Sequence, residues 1–522
     1  MLNQNNLVLL LCTLIGLNDA YRILVVFPLC APSHNILGKG VVNSLLESGH
    51  EVVQLTCFPD KENKTNLTQI DLSHVRERAL KENKDKYEGF KLKDLVGHKN
   101  FVDTIFFYYI AYDFQKAFLT DDVMMNFLSD TEQHFDAVVV EWFFSTLYAG
   151  MGPVFQAPLI WLGTTEAHWQ VLRVIDEIPN PAYTIDMFSE TIPPFNFLER
   201  ASGLWSIFKK YFLITCIVEP FEKYVYNNVY GAIGEKRNVT IPSFKDAAYN
   251  ASILLLNSHP SIGIPFKLPQ NAHYIGGYHI DIKPKPLPQD FQKLMDEAKH
   301  GVIYFSMGSN LQSKDMSDNM RDSLLKMFSG FKETVIWKFE SDLENVPKNI
   351  HLTKWAPQQS ILAHPNIKMF ITHGGQLSTT EAIHHGVPVV GIPVYGDQHI
   401  NMRNAAEKGY GIAVDLAENM ADELSVAIRE ILNNPNYKNR AKELSALFHY
   451  RQMTPQKELA YWVEYAIKTR GALHLRSPAL NVPLYQKLYL DLLLTFVLVI
   501  YVLRKMFNRF FGNKTSIKIK KN

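Results

Sequence analysis

The residues suited to chemistry fall into two groups, and the denser one runs from Trp355 to Gln398. Residues 369–371 are an apolar run that reads as a short buried strand, turning out through Thr372-His373-Gly374-Gly375. A helix follows to about His385, with Ser378, Thr379 and Glu381 in its first turns. A second strand over residues 389–394 ends in Tyr395-Gly396-Asp397-Gln398. Small residues let a backbone approach a phosphate, and a helix N-terminus offers unpaired N–H groups and the positive end of its dipole. A carboxylate about one turn further in accepts from ribose hydroxyls. Together these features describe a nucleotide site. The sparser group is His34, just after the first strand, and Glu141 at the end of another. An imidazole with an ordinary pKa accepts a proton at neutral pH.

The elements that must position these groups alternate strand and helix. A strand over residues 22–27 leads to a loop holding Ser33-His34, a helix over residues 39–48 and a second strand over residues 52–56. Residues 137–140 deliver Glu141, residues 158–161 form a further strand, and residues 254–257 read as the last strand of this half. The charged stretch 61–93 reads as an exposed insertion. Gly276-Gly277 and Pro284, Pro286 and Pro288 mark a linker. A second half opens with a strand ending in Ser306-Met307-Gly308-Ser309, and its next strand covers residues 334–339. Helices around residues 421–432 and within 438–469 complete it. Such β-α-β order predicts parallel sheets, and open parallel sheets bind ligands at the carboxyl ends of their strands. His34, Glu141, residues 306–309, 373–381 and 397–398 all fall there.

The ordered set of Trp355, Pro357-Gln358, His364-Pro365, Thr372-His373-Gly374-Gly375, Ser378, Glu381, Gly386-Val387-Pro388 and Asp397-Gln398 resembles the signature of the UDP-glycosyltransferases along its whole length. That resemblance implies an α/β chain of the GT-B type, two doubly wound Rossmann-like domains facing across a cleft, plus a C-terminal transmembrane helix. It implies that His34 is the base. The family usually has Asp where Glu141 stands, and the position implies a partner that orients and charges the histidine. Trp355 matches the residue that stacks on uracil, Gln358 the uridine contact, and His373 and Ser378 the diphosphate contacts, with Gly375 giving close backbone approach. Glu381 matches the ribose acceptor, and Asp397 and Gln398 the pair that holds the sugar. Ser306, Ser309 and Lys338 are further donor contacts. Phe107, Trp142, Phe143 and Trp169 are candidates for an apolar acceptor pocket, although most aromatics of this half fill its core.

The reaction implied is inverting transfer of a hexose from a UDP-sugar to a hydroxyl of a small lipophilic acceptor, as in detoxification or hormone and pigment conjugation. No Asp-x-Asp pair is present, so no metal and no tightly bound cofactor is expected. Gln398 suits the hydroxyls of glucose, and the segments Asn180-Pro181-Ala182-Tyr183 and Glu141-Trp142-Phe143 look like those of invertebrate UDP-glucosyltransferases. UDP-glucuronate is the alternative donor. An alternative of another class is a UDP-sugar-binding lumenal carrier of lipophiles with little turnover.

The chain has 522 residues, a net charge of +1 and 20% charged residues, a balance that points to no nucleic acid. Residues 1–20 read as a signal peptide and 21–275 as the acceptor-binding domain. Residues 276–290 form the linker, and 291–470 the UDP-sugar-binding domain, with a last helix that in this family returns across the first domain. Residues 484–503 read as a membrane span, with a basic cytosolic tail over 504–522. The tail ends Lys518-Ile519-Lys520-Lys521-Asn522, like a dilysine retrieval signal. Together these predict a single-pass type I protein of the endoplasmic reticulum membrane with lumenal sequons at Asn63, Asn66, Asn238 and Asn250. The amphipathic stretch 204–230 is placed near the membrane by the family. Family members of this membrane type associate, which makes a homo- or hetero-oligomer an expectation. Of the 4 cysteines, Cys12 lies in the signal segment, and Cys30, Cys57 and Cys216 read as buried small residues rather than a disulfide framework. His384 and His385 read as ordinary helix residues.

Overall fold

The computed structural model describes residues 20–82, 91–97, 104–175, 178–265 and 267–511. The signal segment and the basic tail with its dilysine motif therefore lie outside the described residues, apart from Ala20 and residues 504–511.

Runs of Val, Ile and Leu with no polar alternation need cover on both faces, which is the environment of a parallel sheet flanked by helices. The first half builds one from β1 (Arg22–Val26), β2 (Glu51–Thr56), β3 (Leu67–Asp71), β4 (Ala137–Trp142), β5 (Leu159–Gly163), β6 (Ile253–Leu256) and β7 (Ala272–Tyr274). Their order is β3-β2-β1-β4-β5-β6-β7, all parallel. The second half contains β8 (Val302–Ser306), β9 (Thr334–Lys338), β10 (Ile350–Thr353), β11 (Ile367–Thr372), β12 (Val389–Gly391) and β13 (Gly411–Ala413), in the order β10-β9-β8-β11-β12-β13, again all parallel. In each sheet the chain winds outward from the first strand and then reverses. The reversal lies between β1 and β4 in one sheet and between β8 and β11 in the other. A crevice opens at such a point because the two flanking connections leave toward opposite faces.

Several expectations change. The first helix runs Pro32–Glu47, so His34 occupies its third position instead of a preceding loop. Proline suits a first helical position, where its missing N–H is not needed. Stretch 61–93 is not a plain insertion: it contains edge strand β3 and a helix, Ser73–Glu82. β6 is not the last strand of its sheet, because β7 pairs with it. Cys30 and Cys57 are buried, as read, but form a disulfide that joins the end of β1 to the end of β2; Cys216 is free and exposed. An odd cysteine count did not forbid a pair, since one cysteine stays unpaired on a separate helix.

Leu459, Ala460, Val463 and Ala466, on helix Pro455–Lys468, pack in one core with Ile23, Val25 and Ile253 of the first sheet and with Val41 and Val42 of the Pro32–Glu47 helix. The last helix of the second half thus lies on the first.

Two long helical segments expose apolar side chains, although Val225, Tyr226, Val229, Tyr230 and Ile233 of the first one pack in the core of the first half. Phe197–Leu213 and Glu219–Arg237 join through a π-turn at Ile214–Val218 into one rod, and Leu204, Trp205, Phe208, Phe212 and Phe221 along it are exposed. Among the described residues this rod is the one helix both long and apolar enough, by composition, to cross a membrane. Helix Leu490–Phe511 has no buried residue, begins after a break at Tyr489 (φ +56°), and continues past Arg504 and Lys505.

Candidate active site

The two crevices face each other. At the first, His34 Nδ1 is hydrogen-bonded to Glu141 Oε1, and the Glu141 carboxylate is wholly buried. β1 and β4 are paired in register up to Val26 and Val140, so the next residue of β4 presents its side chain beside the start of the histidine helix. The second carboxylate oxygen, Oε2, accepts from the Leu29 backbone N–H at 3.4 Å, tying the β1 loop to the same group. The Phe143 ring lies edge-on to the imidazole at 5.0 Å. Asp136, the other acid of this strand, sits at its opposite end and accepts from the Arg22 N–H.

At the second crevice, β8 and β11 end side by side, with Ser306 paired to Thr372. Gly308 (φ +88°) and Gly374 (φ +83°) turn in the left-handed region that favours glycine. A Cβ on Gly308 or on Gly375 would stand 2.5 Å from the His373 ring, so the imidazole fills the space between the two turns. Burial, aided by the Lys338 charge, pushes His373 down to about 4 and keeps it neutral at pH 7. Lys338 Nζ donates to Gly308 O at 2.6 Å, ion-pairs with Glu340 at 3.3 Å, and lies 5.4 Å from the centre of the Trp355 ring. Ser306 Oγ accepts from the Gly308 N–H, and Ser309 follows on the rim of this turn.

Helix Gln376–His384 starts at Gly375, which has no side chain to cap it; Asp397 takes the Gln376 N–H, and the first-turn N–H groups beyond it are left for an anion. Ser378 and Glu381 are buried along it. Gln358 Nε2 donates to Glu381 Oε2 at 2.7 Å and to Ser378 Oγ at 3.3 Å, while Tyr304 OH donates to Gln358 Oε1 at 3.3 Å. Trp355 stands 64% exposed at the edge, with a face open for stacking.

Asp397 links the crevices. Burial raises its pKa, opposed by a hydrogen bond from Asn401 and by the Gln376 backbone N–H, and the His34 imidazole of the other half lies within electrostatic reach. Asn401 Nδ2 reaches both Asp397 Oδ2, at 2.8 Å, and Gly374 O, at 3.0 Å. Gln398 begins the next helix, Gln398–Glu407, and its Oε1 accepts from the Val394 and Tyr395 N–H groups at 2.8 and 3.1 Å. Its oxygen is thus committed to the turn, and its amide N–H groups are the part that remains for a sugar hydroxyl.

Of the four acceptor candidates, Phe107 and Phe143 border this space, with Phe107 centred 6.3 Å from Phe143 and 6.3 Å from Tyr395 of the second half. Trp142 and Trp169 do not: both are core residues, and Trp169 Nε1 donates to Asp186. Trp142 follows Glu141 on β4, so strand alternation turns it to the other face of the sheet. Phe144 and Phe188 complete the aromatic cluster around Phe107. Sequence reading does not single out Phe188 or Tyr395 for this cluster. It also passes over Gln359, which donates to Glu381 Oε1 at 3.3 Å, and Asn401, although Asn401 stands one helical turn past Asp397. The sequon asparagines Asn63, Asn66, Asn238 and Asn250 are exposed, and Asn250 is paired with Arg476.

Residues 22–521 match the family described as "UDP-glucoronosyl and UDP-glucosyl transferase". UDP-glucosyltransferase 2 of Dactylopius coccus is 31% identical, covering 98% of this chain and 98% of its own length. UDP-glucuronosyltransferase 2B15 of Rattus norvegicus is 35% identical over 47% of this chain and 46% of its own. Among solved structures, Arabidopsis thaliana UGT89C1 complexed with UDP-L-rhamnose superposes with a TM-score of 0.56 at 14% identity, covering 87% of this chain and 100% of that one. The spinosyn forosaminyltransferase SpnP gives 0.56 at 15% identity, covering 86% and 100%. At these identities the structures speak for the fold alone, which is GT-B.

Proposed function

The chain belongs to the UDP-glucuronosyl and UDP-glucosyl transferase family and is a UDP-glycosyltransferase; on that premise we propose that it transfers glucose, with inversion and without a metal, to a hydroxyl of a small lipophilic acceptor. The observation that carries the reading is the His34–Glu141 pair on one half facing Asp397 on the other. His34 takes the proton from the acceptor hydroxyl as its oxygen bonds to the anomeric carbon and the bond to UDP breaks on the opposite face. Glu141 supports the imidazolium that results. The departing diphosphate meets the N–H groups at the start of helix Gln376–His384 and the turns at Gly308 and Gly375. Trp355 stacks on the uracil, and Gln358 contacts the uridine. Glu381 accepts from the ribose, and Asp397 with the Gln398 amide holds the sugar. Ser306, Ser309, Lys338, His373 and Ser378 line the path of the phosphates. Phe107 and Phe143 form the apolar wall against which an acceptor ring lies.

Glucose is favoured over glucuronate because, at near full length, the identity to a UDP-glucosyltransferase is 31% and that to UDP-glucuronosyltransferase 2B1 of Rattus norvegicus is 26%. The exposed apolar helix Leu490–Phe511 suits a membrane anchor, and the rod Phe197–Arg237 suits a face lying on the same membrane. The exposed sequons and the Cys30–Cys57 disulfide suit a lumenal location. The test is transfer by detergent-opened membranes bearing this chain, offered a phenol with UDP-glucose or UDP-glucuronate, beside His34→Ala and with no added metal. A glucoside formed by wild type and not by H34A supports the reading. Product from UDP-glucuronate alone replaces the donor. UDP binding without any conjugate replaces the transferase with a carrier.

A further inference from the structure

Behind the cleft the halves meet at a buried carboxylate that takes no part in the steps above. Glu166 lies three residues beyond β5 and is 9% exposed. Its Oε1 accepts from the Ile264 backbone N–H, in the loop between β6 and β7. Its Oε2 accepts from Asn404 Nδ2, on helix Gln398–Glu407 of the second half, at 3.3 Å. A Cβ on Gly263 would fall 2.0 Å from Oε1, so the loop approaches the carboxylate as closely as glycine permits. Asn404 is 3% exposed, which shields the contact from water. Just past the same helix, Lys408 Nζ reaches Pro260 O of the first half at 3.5 Å. The charged and titratable groups facing Glu166 are Lys408, Asp397, Tyr274 and Tyr410.

We propose that Glu166 is a positioning residue for glycosyl transfer: through Asn404 it sets where helix Gln398–Glu407 stands against the first half, and hence the gap between Asp397-Gln398 and His34. Asn404 is six residues from Gln398, about 9 Å along a helix axis. A helix is stiff over that length, so pinning one turn fixes the position of the other. The two ends of the reaction, base and sugar, ride on different halves, and a displacement of about 1 Å between them costs about 10²-fold in rate. The UDP contacts all come from the second half, so the clasp acts on transfer and leaves UDP binding alone. This inference rests on the transferase reading.

The experiment uses the full-length membrane protein with Glu166→Ala, Glu166→Gln, Asn404→Ala and the Glu166→Ala/Asn404→Ala double variant. Readouts are kcat and KM for UDP-glucose, UDP affinity by direct titration, and melting temperature. Each alanine variant should lose about 10–100-fold in kcat, with UDP affinity held within about twofold, and the double variant should be no worse than the poorer single one. E166Q should recover most of the rate, because its amide oxygen accepts from Ile264 while its amide nitrogen donates to a flipped Asn404. Unchanged kcat in N404A, a fall in kcat matched by an equal fall in UDP affinity, or fully additive losses would overturn the proposal. Should E166A not fold, N404A alone decides. Loss of wild-type turnover in H34A establishes the transferase reading independently of the clasp, so the two failures are told apart.

Discussion

Glu141 stands where the family usually has aspartate, and replacing it with aspartate puts the geometry to its sharpest test. Shortening the side chain by one methylene withdraws the carboxylate by about 1.5 Å. The contact to His34 Nδ1 then opens from hydrogen-bond range to about 4 Å, beyond the limit of a real hydrogen bond. Leu29 N–H, already at 3.4 Å from Oε2, loses its acceptor as well. Because Glu141 is wholly buried on the central strand β4, backbone movement to recover the contact would disturb the pairing with β1 and β5. A base misplaced by that much loses about 10²-fold, or about 2.7 kcal/mol of transition-state stabilisation. The assay is kcat and KM for UDP-glucose and a phenol in detergent-opened membranes, with UDP affinity measured beside it. Glu141→Asp should lower kcat about 100-fold and leave UDP affinity unchanged, and Glu141→Gln should do at least as badly by removing the charge. An E141D enzyme as fast as wild type, or faster, would refute the claim that this backbone is built around the longer acid.

Other outcomes follow from single features. Trp355→Ala should weaken UDP binding by about 1–3 kcal/mol, the usual worth of base–aromatic stacking, without moving the melting temperature, since the ring is exposed; titration with UDP checks it. Gly375→Ala should raise KM for the donor at least about tenfold, because its Cβ enters the His373 ring; an unchanged KM would mean the turn is not where the phosphates lie. Removing the Cys30–Cys57 bond by Cys57→Ser should cost about 3 kcal/mol for its 27-residue loop and lower kcat, as Cys30 precedes the His34 helix; denaturant melts with and without reductant measure it. Burial holds His168, His259, His273, His373 and His385 down at about 4 and His384 at about 3. Depressed histidines favour the neutral folded form, so their stability is complete above the unfolded pKa of about 6.5 and is lost as pH falls toward 4. Glu166 and Glu222, pushed up to about 7 by burial, act in the opposite sense as pH rises from about 4.5 through 7. The histidines outnumber them, so melting temperature should drop steadily below about pH 6.5.

The strands legible in the sequence are the interior ones of each sheet, and the illegible ones are all at sheet edges. β1, β4, β5, β8 and β11 are continuous apolar runs because helices cover both faces. β3, β7, β10 and β13 bound the two sheets, and each has only one neighbour. Their residues are mostly half-exposed, so Leu67–Asp71 reads as part of an exposed insertion and Ala272–Tyr274 as no element at all. The start of the first helix is obscured by Ser33-His34, polar residues that suit a loop as well as a first turn; the extended Ala31 and the proline after it are the better signal.

The donor side is legible for a related reason. Its groups come from the carboxyl ends of β8, β9, β10, β11 and β12, and the last three are consecutive in the chain, so Trp355 to Gln398 carries most of the site as one segment. What stays hidden is whatever pairs across long separations. Glu166 and Asn404 stand 238 residues apart, and neither sits in a pattern that marks it; Cys30 and Cys57 meet only because β1 and β2 end side by side. Phe107 reaches Tyr395 across the cleft in the same way. A transferase with base and sugar on separate halves must fix the distance between them by such contacts, since no local segment spans the gap. The chemistry is therefore written in short motifs, while the geometry that makes it work is written in residues that look ordinary until the two halves are brought together.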